Sequence, residues 1–293
     1  AVASPMGSGG MMGAGGVTGF GGSGGAVDAP TANDGGGATE VRADVNVDTS
    51  AAACRFAFCE GFETSRAGAP PDPTKWKADG SPANVDTVRP HSGANALHIP
   101  PHNGGLCMEG AASCPAARFY RLTDAFPQAL RQKFYGRMWF FIEQYPTNNA
   151  YYHWMVMEAG AGTGYFTGMA VRQGGESQGG PNYMMTHLET HDHRPGVLFE
   201  WPVRDQQTTI QTKRWYCLEW YYDGPNSEAK YWLDGVEKPR LRYKGPMAGQ
   251  PQFNFPAEFK SVAVGWRTFQ VSNSPFEAFV DDIALDAQKV GCD

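Results

Sequence analysis

The sequence predicts an all-β protein, a sandwich or jelly roll, and three observations support this prediction. Short runs rich in aromatic and β-branched residues recur along the chain, as is typical of strands. Clusters of Gly, Pro, Asn and Asp separate these runs and favour turns. Only one short segment, residues 123–133, has a pattern that predicts a helix. Many strands with almost no helix indicate two packed antiparallel sheets.

The predicted strands share aromatic or β-branched residues in the middle and turn residues at their ends. In chain order they are residues 134–142, 151–157, 168–173, 182–189, 215–222, 230–233, 261–266 and 276–285. Between the sixth strand and the next, Asp234 and Gly235 predict a hairpin turn, because Asp-Gly tolerates the left-handed backbone that tight hairpins need.

Residues 1–50 are a predicted flexible linker, because they consist mainly of Gly, Ala, Ser, Val and Asp. Phe20 is the one aromatic residue among them, and their sequence has no hydrophobic period. Such a segment cannot bury enough apolar surface to offset its chain entropy, so we expect it to be disordered. Residues 51–293 are then the folded domain, which is long enough for one large core.

Composition and charge limit the classes of function. A net charge of −6 argues against nucleic acid as a partner and leaves no basic stripe for a membrane surface. No apolar run approaches the roughly 18 residues of a membrane span. Six cysteines without a CxxC pair favour an oxidising compartment over a zinc site. The chain begins with Ala, consistent with a removed leader, and we expect a secreted or cell-surface monomer.

Two predicted strands at opposite ends of the folded region carry carboxylates. Glu60 and Glu63 lie near its start, and Asp281 and Asp282 lie in its last strand. A carboxylate within an apolar strand is costly unless a positive group or ion pairs with it. The pattern therefore predicts that the first and last strands lie side by side and share a cation.

Several short motifs lie along the folded region. They are Gly61-Phe62-Glu63-Thr64, Thr74-Lys75-Trp76, His91-Ser92-Gly93-Ala94-Asn95-Ala96-Leu97, Tyr216-Cys217-Leu218-Glu219, Trp232-Leu233-Asp234-Gly235, Gly265-Trp266, Phe279-Val280-Asp281-Asp282-Ile283 and Val290-Gly291-Cys292. These motifs resemble those of the fungal cellulose-induced secreted protein, whose jelly roll, a concanavalin-like sandwich, is similar to alginate and glucuronan lyases. Their order and approximate spacing match over about residues 54–293.

The resemblance implies a structural calcium ion between the terminal strands. Carried over by position, its ligands are Glu63, Ser92, Asn95 and Asp281. Calcium prefers six to eight oxygen ligands from carboxylates, amides and carbonyls, which this set can supply. Strand alternation predicts that Asp281 and Asp282 point to opposite faces, so that only one of them binds the ion. The alternative is that these are solvated carboxylates at a sheet edge.

The resemblance also implies a disulfide between Cys217 and Cys292. Cys107 and Cys114 are seven residues apart and could close a local loop, and Cys54 and Cys59 are then left to pair. These two pairings rest on proximity alone, because six cysteines allow 15 connectivities.

The implied activity is cleavage of a uronic-acid-containing polysaccharide, of plant or microbial type, by β-elimination. This reaction needs a cation or amide at the carboxylate, a base for the proton at C5 and an acid for the leaving oxygen. The candidates for these roles lie on predicted strands. They are Arg137 and Arg172 as carboxylate clamps, His153 or His187 as the base, Tyr183 as the acid, and Trp139, Tyr151 and Gln173 as substrate-binding residues.

Other interpretations of these residues stay open. Arg137 could instead pair with Glu219 or stack on Trp139. A transition metal could bind His187, His191 and His193, although solvated loop histidines are common. A retaining hydrolase is disfavoured, because no strand carries the Glu-x-Asp-x-x-Glu spacing. A non-catalytic, lectin-like carbohydrate-binding module is the main alternative, with stacking residues among Trp139, Trp154, Trp201, Trp215, Trp220 and Tyr222.

Overall fold

The chain folds into two antiparallel β-sheets, which confirms the predicted all-β class. The computed structural model describes residues 54–103, 118–146, 151–162, 168–178, 181–191, 198–245, 255–268 and 274–293. The predicted linker, residues 1–50, lies outside the described residues. Among the described residues, no helix has the length and apolar character needed to cross a membrane.

The first sheet, called the nine-stranded sheet, has the order β13-β12-β11-β6-β16-β4-β3, with β1 also paired to β16 and β14 to β12. Its strands are β1 (Phe58–Glu60), β3 (Asn84–Asp86), β4 (Ala96–His102), β6 (Lys133–Gln144), β11 (Trp215–Asp223), β12 (Glu228–Leu233), β13 (Val236–Glu237), β14 (Tyr243–Lys244) and β16 (Phe276–Asp286).

The second sheet, called the seven-stranded sheet, has the order β10-β9-β8-β7-β15-β5-β2. Its strands are β2 (Trp76–Gly80), β5 (Arg118–Leu122), β7 (Tyr151–Gly160), β8 (Gly168–Gln178), β9 (Asn182–His191), β10 (Leu198–Thr209) and β15 (Ser261–Thr268).

The inner faces of the two sheets pack into one hydrophobic core. Trp220 and Ile283 contribute from the nine-stranded sheet, and Trp154 and Trp266 from the seven-stranded sheet. The rings of Trp154 and Trp266 are stacked, with centroids 5.0 Å apart. Because strand side chains alternate between faces, every second residue faces away from this core. Most of the candidate site residues lie at these outward-facing positions.

All eight predicted strands are present, and several extend beyond their predicted ends. The predicted hairpin is confirmed as well, since Asp234 and Gly235 both have positive φ between β12 and β13. The predicted helix over residues 123–133 is wrong. Pro127 has an extended backbone there, and only a 3₁₀ turn, Gln128–Leu130, follows it before β6 begins. The second 3₁₀ turn is Pro239–Leu241.

The first and last strands lie side by side, as their carboxylates predicted. Glu60 of β1 is opposite Ile283 of β16. The buried Glu60 carboxylate accepts hydrogen bonds from Lys75 Nζ and Trp76 Nε1, both at 3.1 Å. A lysine thus supplies the positive partner of Glu60, and the remaining carboxylates form a separate group described below.

Two of the predicted disulfides are confirmed. Cys217 of β11 is bonded to Cys292, and Cys54 is bonded to Cys59. The predicted pair Cys107 and Cys114 lies outside the described residues.

Candidate functional site

Four of the five proposed catalytic residues lie on the outer face of the seven-stranded sheet. Strand register places Arg172 of β8 beside His187 of β9, and His153 of β7 beside Glu176 of β8. Tyr183 is opposite Glu176 on β9 and shares the face of His187 by alternation. The fold therefore brings His153, Arg172, Tyr183 and His187 to one face of this sheet, without Arg137, which was proposed together with them.

Four side chains on this face form a connected hydrogen-bonded set that includes a candidate proton donor and a candidate proton acceptor. We call this set the tyrosine cluster: Tyr151, His153, Glu176 and Arg204. The Tyr151 hydroxyl contacts His153 Nε2, and it donates to Glu176 Oε2 at 3.3 Å. Arg204 Nη2 donates to the Tyr151 oxygen at 3.2 Å. Arg204 Nε also reaches both oxygens of Glu176, at 2.9 and 2.8 Å.

Burial differs sharply within the tyrosine cluster. Glu176 is fully buried and His153 is 7% exposed, whereas Tyr151 is 42% exposed. A molecule approaching this face therefore meets the Tyr151 ring and hydroxyl before it meets the histidine. The structure places Tyr151, which the sequence suggested only for substrate binding, at the centre of the hydrogen-bonded group.

The electrostatics of the cluster keep the Tyr151 phenol protonated at rest. Partial burial raises the pKa of Tyr151 above its ordinary value, and the nearby Glu176 carboxylate acts in the same direction. The hydrogen bond from Arg204 opposes this shift by stabilising the phenolate. A proton acceptor, His153, and a phenolate-stabilising cation, Arg204, thus both contact the same hydroxyl.

A second polar group, called the arginine cluster, lies next to it on the same sheet face. Its members are all buried and are Asp79, Arg121, Glu158, Arg172 and Arg267. Arg121 Nη2 donates to Glu158 Oε1 at 2.6 Å, and Arg121 Nε donates to Asp79 Oδ2 at 2.8 Å. Arg172 Nε donates to the other Glu158 oxygen. The predicted clamp Arg172 is thus part of a buried ion-pair network rather than a side chain at the surface.

Gln173, which the sequence suggested for substrate binding, lies on the inner face of the sheet, which faces the core. It is fully buried and accepts a hydrogen bond from the Thr186 hydroxyl at 2.6 Å. The alternation of β8 explains this, because Arg172 and Gln173 are consecutive and must face opposite sides. The His187 ring is also buried, with its centroid 5.8 Å from that of His153. The His191 side chain and His193 lie outside the described residues.

Arg137 and Trp139 are on the opposite side of the molecule from the tyrosine cluster. Both lie on β6, on the outer face of the nine-stranded sheet. Arg137 Nε donates to the Asp282 carbonyl at 3.2 Å, and Nη1 to the Gly291 carbonyl at 3.3 Å. Trp139 stacks on His91 at 3.8 Å. The structure does not bring these two residues together with His153 and Tyr183.

The residues predicted to bind calcium meet at one loop, residues 91–95. Asp281 Oδ2 accepts from the backbone N–H groups of His91 and Ser92, at 2.8 and 3.3 Å. The Glu63 carboxylate accepts from the N–H of Asn95 at 3.0 Å. We call Glu63, Ser92, Asn95, Asp281 and Asp282 the carboxylate clasp, since they join the segment after β1, strand β16 and this loop.

The prediction that Asp281 and Asp282 point to opposite faces is wrong. Asp282 Oδ1 accepts from Ser92 Oγ at 2.7 Å, so both carboxylates contact the same serine. The register of β16 against β6 shifts between Asp281 and Ala284, and Asp282 has a positive φ of 48°. This bulge breaks the two-residue period and turns both side chains towards the loop.

The carboxylate clasp fits a hard cation by its chemistry. Burial, and then the neighbouring Asp282 charge, raise the pKa of Asp281 to about 8, so ionising this carboxyl group is costly unless a cation lies beside it. Carboxylate and hydroxyl oxygens are the ligands that calcium prefers. A cleft of about 610 Å³, lined in part by Glu63, Ser92 and Asp282, lies beside these groups and has room for an ion with its water ligands.

Comparison with solved structures identifies a close architectural counterpart. The cellulose-induced protein Cip1 superimposes with a TM-score of 0.54 at 20% identity, over 80% of this chain and 100% of that chain. The chain is similar in fold to Cip1. A PL-14 alginate lyase from Aplysia kurodai matches with a TM-score of 0.41 at 8% identity, over 69% of this chain and 86% of that chain. A non-specific endo-β-1,3(4)-glucanase of family GH16 matches with a TM-score of 0.46 at 11% identity, over 78% and 89%.

No protein-family model matches the chain, and no curated protein sequence matches it. The Cip1 comparison confirms the resemblance at the level of the jelly roll and is silent on individual side chains. The sequence motifs shared with that family include residues of the carboxylate clasp but none of the tyrosine cluster. Roles for Tyr151, His153, Glu176 and Arg204 therefore depend on the geometry of this chain alone.

Sequence reasoning missed Glu176 and Arg204. Glu176 lies four residues after Arg172 and hence on the same face of β8, but the predicted strand ended at Gln173. Arg204 lies in β10, which was not predicted as a strand. That strand contains Pro202 and several charged and amide side chains, which suit the edge of a sheet and weaken any sequence signal.

Proposed function

We propose that this chain is a secreted polysaccharide lyase that cleaves a uronic-acid-containing polysaccharide by β-elimination at the tyrosine cluster. One observation carries the proposal: the hydroxyl of the half-exposed Tyr151 contacts a histidine and an arginine. The jelly roll shared with the cellulose-induced protein Cip1 supports a polysaccharide-related function. Two disulfides among the described residues favour an extracellular location.

In the proposed reaction, Tyr151 carries the proton between the two reacting atoms of the sugar. His153 accepts the Tyr151 proton, and the resulting phenolate removes the proton from C5. The electron pair of that C–H bond forms the C4=C5 double bond as the C4–O4 bond breaks. Tyr151 then protonates O4, and His153 returns its proton to the phenolate. The net change is the transfer of one proton from C5 to O4.

Arg204 has two tasks in this reaction. Its guanidinium contacts the Tyr151 oxygen, where negative charge develops, and it is partly exposed to solvent. It can therefore stabilise the phenolate and attract the uronate carboxylate to the same place. Glu176 holds the Arg204 side chain in this position through two hydrogen bonds.

The test is an assay on glucuronan, alginate and pectate that follows the ultraviolet absorbance of the new double bond. We expect wild type to produce this signal on at least one polymer. Tyr151→Phe should lower the rate about 100-fold or more, which is the usual contribution of a proton-transferring group. Tyr183→Phe is the matched variant on β9, which β8 separates from the strand of Tyr151, and it should retain most of the activity.

Two results would overturn the proposal. A loss of activity in Tyr183→Phe but not in Tyr151→Phe would place the acid elsewhere on the sheet. The absence of unsaturated product from every polyuronate, with a correctly folded protein, would exclude the lyase and leave a non-catalytic carbohydrate-binding module as the function.

We also propose that the carboxylate clasp binds one structural calcium ion, with Glu63, Ser92, Asn95 and Asp281 as the ligand residues. The support is geometric, since the Asp281 and Asp282 carboxylates both contact Ser92, and carboxylate and hydroxyl oxygens are ligands that calcium prefers. Because the clasp lies on the nine-stranded sheet, away from the tyrosine cluster, the ion would stabilise the fold and take no part in proton transfer.

A further inference from the structure

Three aromatic side chains form a continuous patch on the outer face of the nine-stranded sheet. Tyr135 of β6 lies directly opposite Tyr221 of β11, and their ring centroids are 4.7 Å apart. Trp232 of β12 lies 6.4 Å from Tyr135, and both rings are tilted by 39° to the Tyr135 ring. We call Tyr135, Tyr221 and Trp232 the aromatic platform.

The aromatic platform is not part of the hydrophobic core. The adjacent residues Phe134, Tyr222 and Tyr231 are fully buried and belong to the core. By alternation the platform residues face away from it, and each ring remains partly exposed. The solvent-facing side of an antiparallel sheet ordinarily carries polar residues. Three clustered rings on the solvent-facing side of the sheet are more typical of a binding surface than of packing against the core.

The platform rings are held in place before any ligand arrives. The Tyr221 hydroxyl donates to Asp223 Oδ2 at 3.0 Å. Lys230 Nζ lies 5.2 Å from the Tyr221 ring centroid, and Lys289 Nζ lies 4.7 Å from that of Trp232. Because these contacts already restrict the rings, a ligand that stacks on them loses little additional conformational entropy from the protein.

The charges around the aromatic platform are paired. Lys230 Nζ lies 3.2 Å from Glu228, and Lys289 Nζ lies 3.5 Å from Glu219. A charged ligand would therefore gain little from the two lysines, since each already faces a carboxylate. Stacking on aromatic rings combined with hydrogen bonds to paired polar groups suits an uncharged sugar, whose C–H face is apolar and whose edge carries hydroxyl groups.

We propose that the aromatic platform is a second carbohydrate-binding surface, which holds a neutral polysaccharide chain. It lies on the side of the sandwich opposite to the tyrosine cluster, so one molecule presents two separate sugar-binding faces. The two faces differ in composition, since a histidine and an arginine accompany Tyr151 on one side, whereas three aromatic rings form the platform on the other. This inference does not depend on lyase activity.

The experiment measures retention of the full chain on insoluble cellulose, mannan and xylan at two salt concentrations. We expect wild type to bind at least one of them with little dependence on salt. Trp232→Ala and Tyr221→Ala should each weaken binding about tenfold or more, as truncation of a central aromatic anchor commonly does. Trp232→Phe keeps a ring at the position and should retain most of the binding even if the alanine variant loses stability.

Glu258→Gln is the control, because it changes an exposed side chain outside both sugar-binding faces and should leave retention unchanged. Trp232→Ala should leave activity on soluble polyuronate unchanged, so failure of the lyase proposal and failure of this one are distinguishable. The inference is overturned if no neutral polysaccharide retains wild type, or if retention is equal in Trp232→Ala. It is also overturned if Trp232→Ala converts a dimer to a monomer in size-exclusion chromatography, because the platform would then be an interface between copies.

Discussion

Glu158, on the seven-stranded sheet, forms ion pairs that contribute to the stability of the fold. Its carboxylate is buried and contacts Arg121 and Arg172, with Arg267 Nη2 at 3.9 Å. Burial alone would raise the pKa of Glu158, but these three guanidinium groups outweigh burial and hold the pKa well below its usual range. A carboxylate whose pKa falls on folding stabilises the fold above its unfolded pKa, and this stabilisation is lost as the pH falls.

Replacing Glu158 with Gln should destabilise the fold by about 3–5 kcal/mol at neutral pH, because it leaves buried arginines without their shared counterion. The difference from wild type should shrink below about pH 4, the ordinary pKa of a glutamate, because the unfolded wild-type chain then takes up a proton at this position while the folded protein keeps the charge. Urea unfolding at neutral and acidic pH measures both effects.

Glu258→Gln is the control for this prediction. Glu258 is exposed, and its replacement should change the free energy of unfolding by no more than about 0.5 kcal/mol at either pH. A Glu158→Gln difference that does not vary with pH would show that the lost stability comes from packing and not from charge.

The tyrosines show that the sequence predicts which face of a strand a residue lies on, but not which side chains it contacts. The two-residue period correctly placed Tyr151 with His153 on one face, and Tyr183 with His187 on another strand of that face. This period alone does not show whether Tyr151 or Tyr183 contacts His153, because distances between strands depend on register. The register was not predictable, since β7 contains a bulge between Met155 and Met157.

At the scale of elements, the carboxylate clasp determines how the loop before β4 attaches to the last strand. The loop at residues 91–95 contributes backbone N–H donors to Glu63 and to Asp281. Burial, and then the Asp282 charge, raise the pKa of Asp281, and the hydrogen bonds from the His91 and Ser92 N–H groups offset this only in part. A bound cation would make the same arrangement strongly stabilising.

Calcium should therefore raise the melting temperature, and a chelator should lower it. At a free calcium concentration about 100 times the dissociation constant, the gain in the free energy of unfolding is about 2.7 kcal/mol. Calorimetry with and without chelator measures this gain. Glu63→Gln should reduce the response to calcium, whereas Asp124→Asn, on an exposed side chain, should keep it. A melting temperature that does not change on chelation of the wild type would contradict a calcium site.

Strands with many apolar residues could be predicted from the sequence, whereas short or polar strands could not. Strands such as β6, β11 and β16 were found because aromatic and aliphatic residues dominate them. The shorter or more polar strands β3 and β10 were not predicted, because pairing rather than sequence preference makes them strands. The helix predicted at residues 123–133 failed for a local reason, the extended backbone at Pro127.

For the whole molecule, the two outer faces have different chemistry although one core supports both. Tyr151 and His153 lie on the seven-stranded sheet, and the carboxylate clasp and the aromatic platform lie on the nine-stranded sheet. Composition and strand count were sufficient to predict the sandwich. The division of candidate residues between its two sheets was not predictable, because it depends on strand order, and Arg137 was grouped with the wrong sheet for that reason.

The two described disulfides should differ in how much they stabilise the whole chain. Cys217 and Cys292 close a loop with a sequence separation of 75, and Cys54 and Cys59 close one with a separation of 5. Because a cross-link restricts the unfolded chain more when its loop is longer, Cys217→Ser/Cys292→Ser should cost about 4 kcal/mol and Cys54→Ser/Cys59→Ser about 2 kcal/mol. Urea unfolding of both double variants under oxidising conditions measures this order. Equal losses, or a larger loss for the short loop, would show that the long bridge acts through native contacts near β16 and not through the entropy of the unfolded chain.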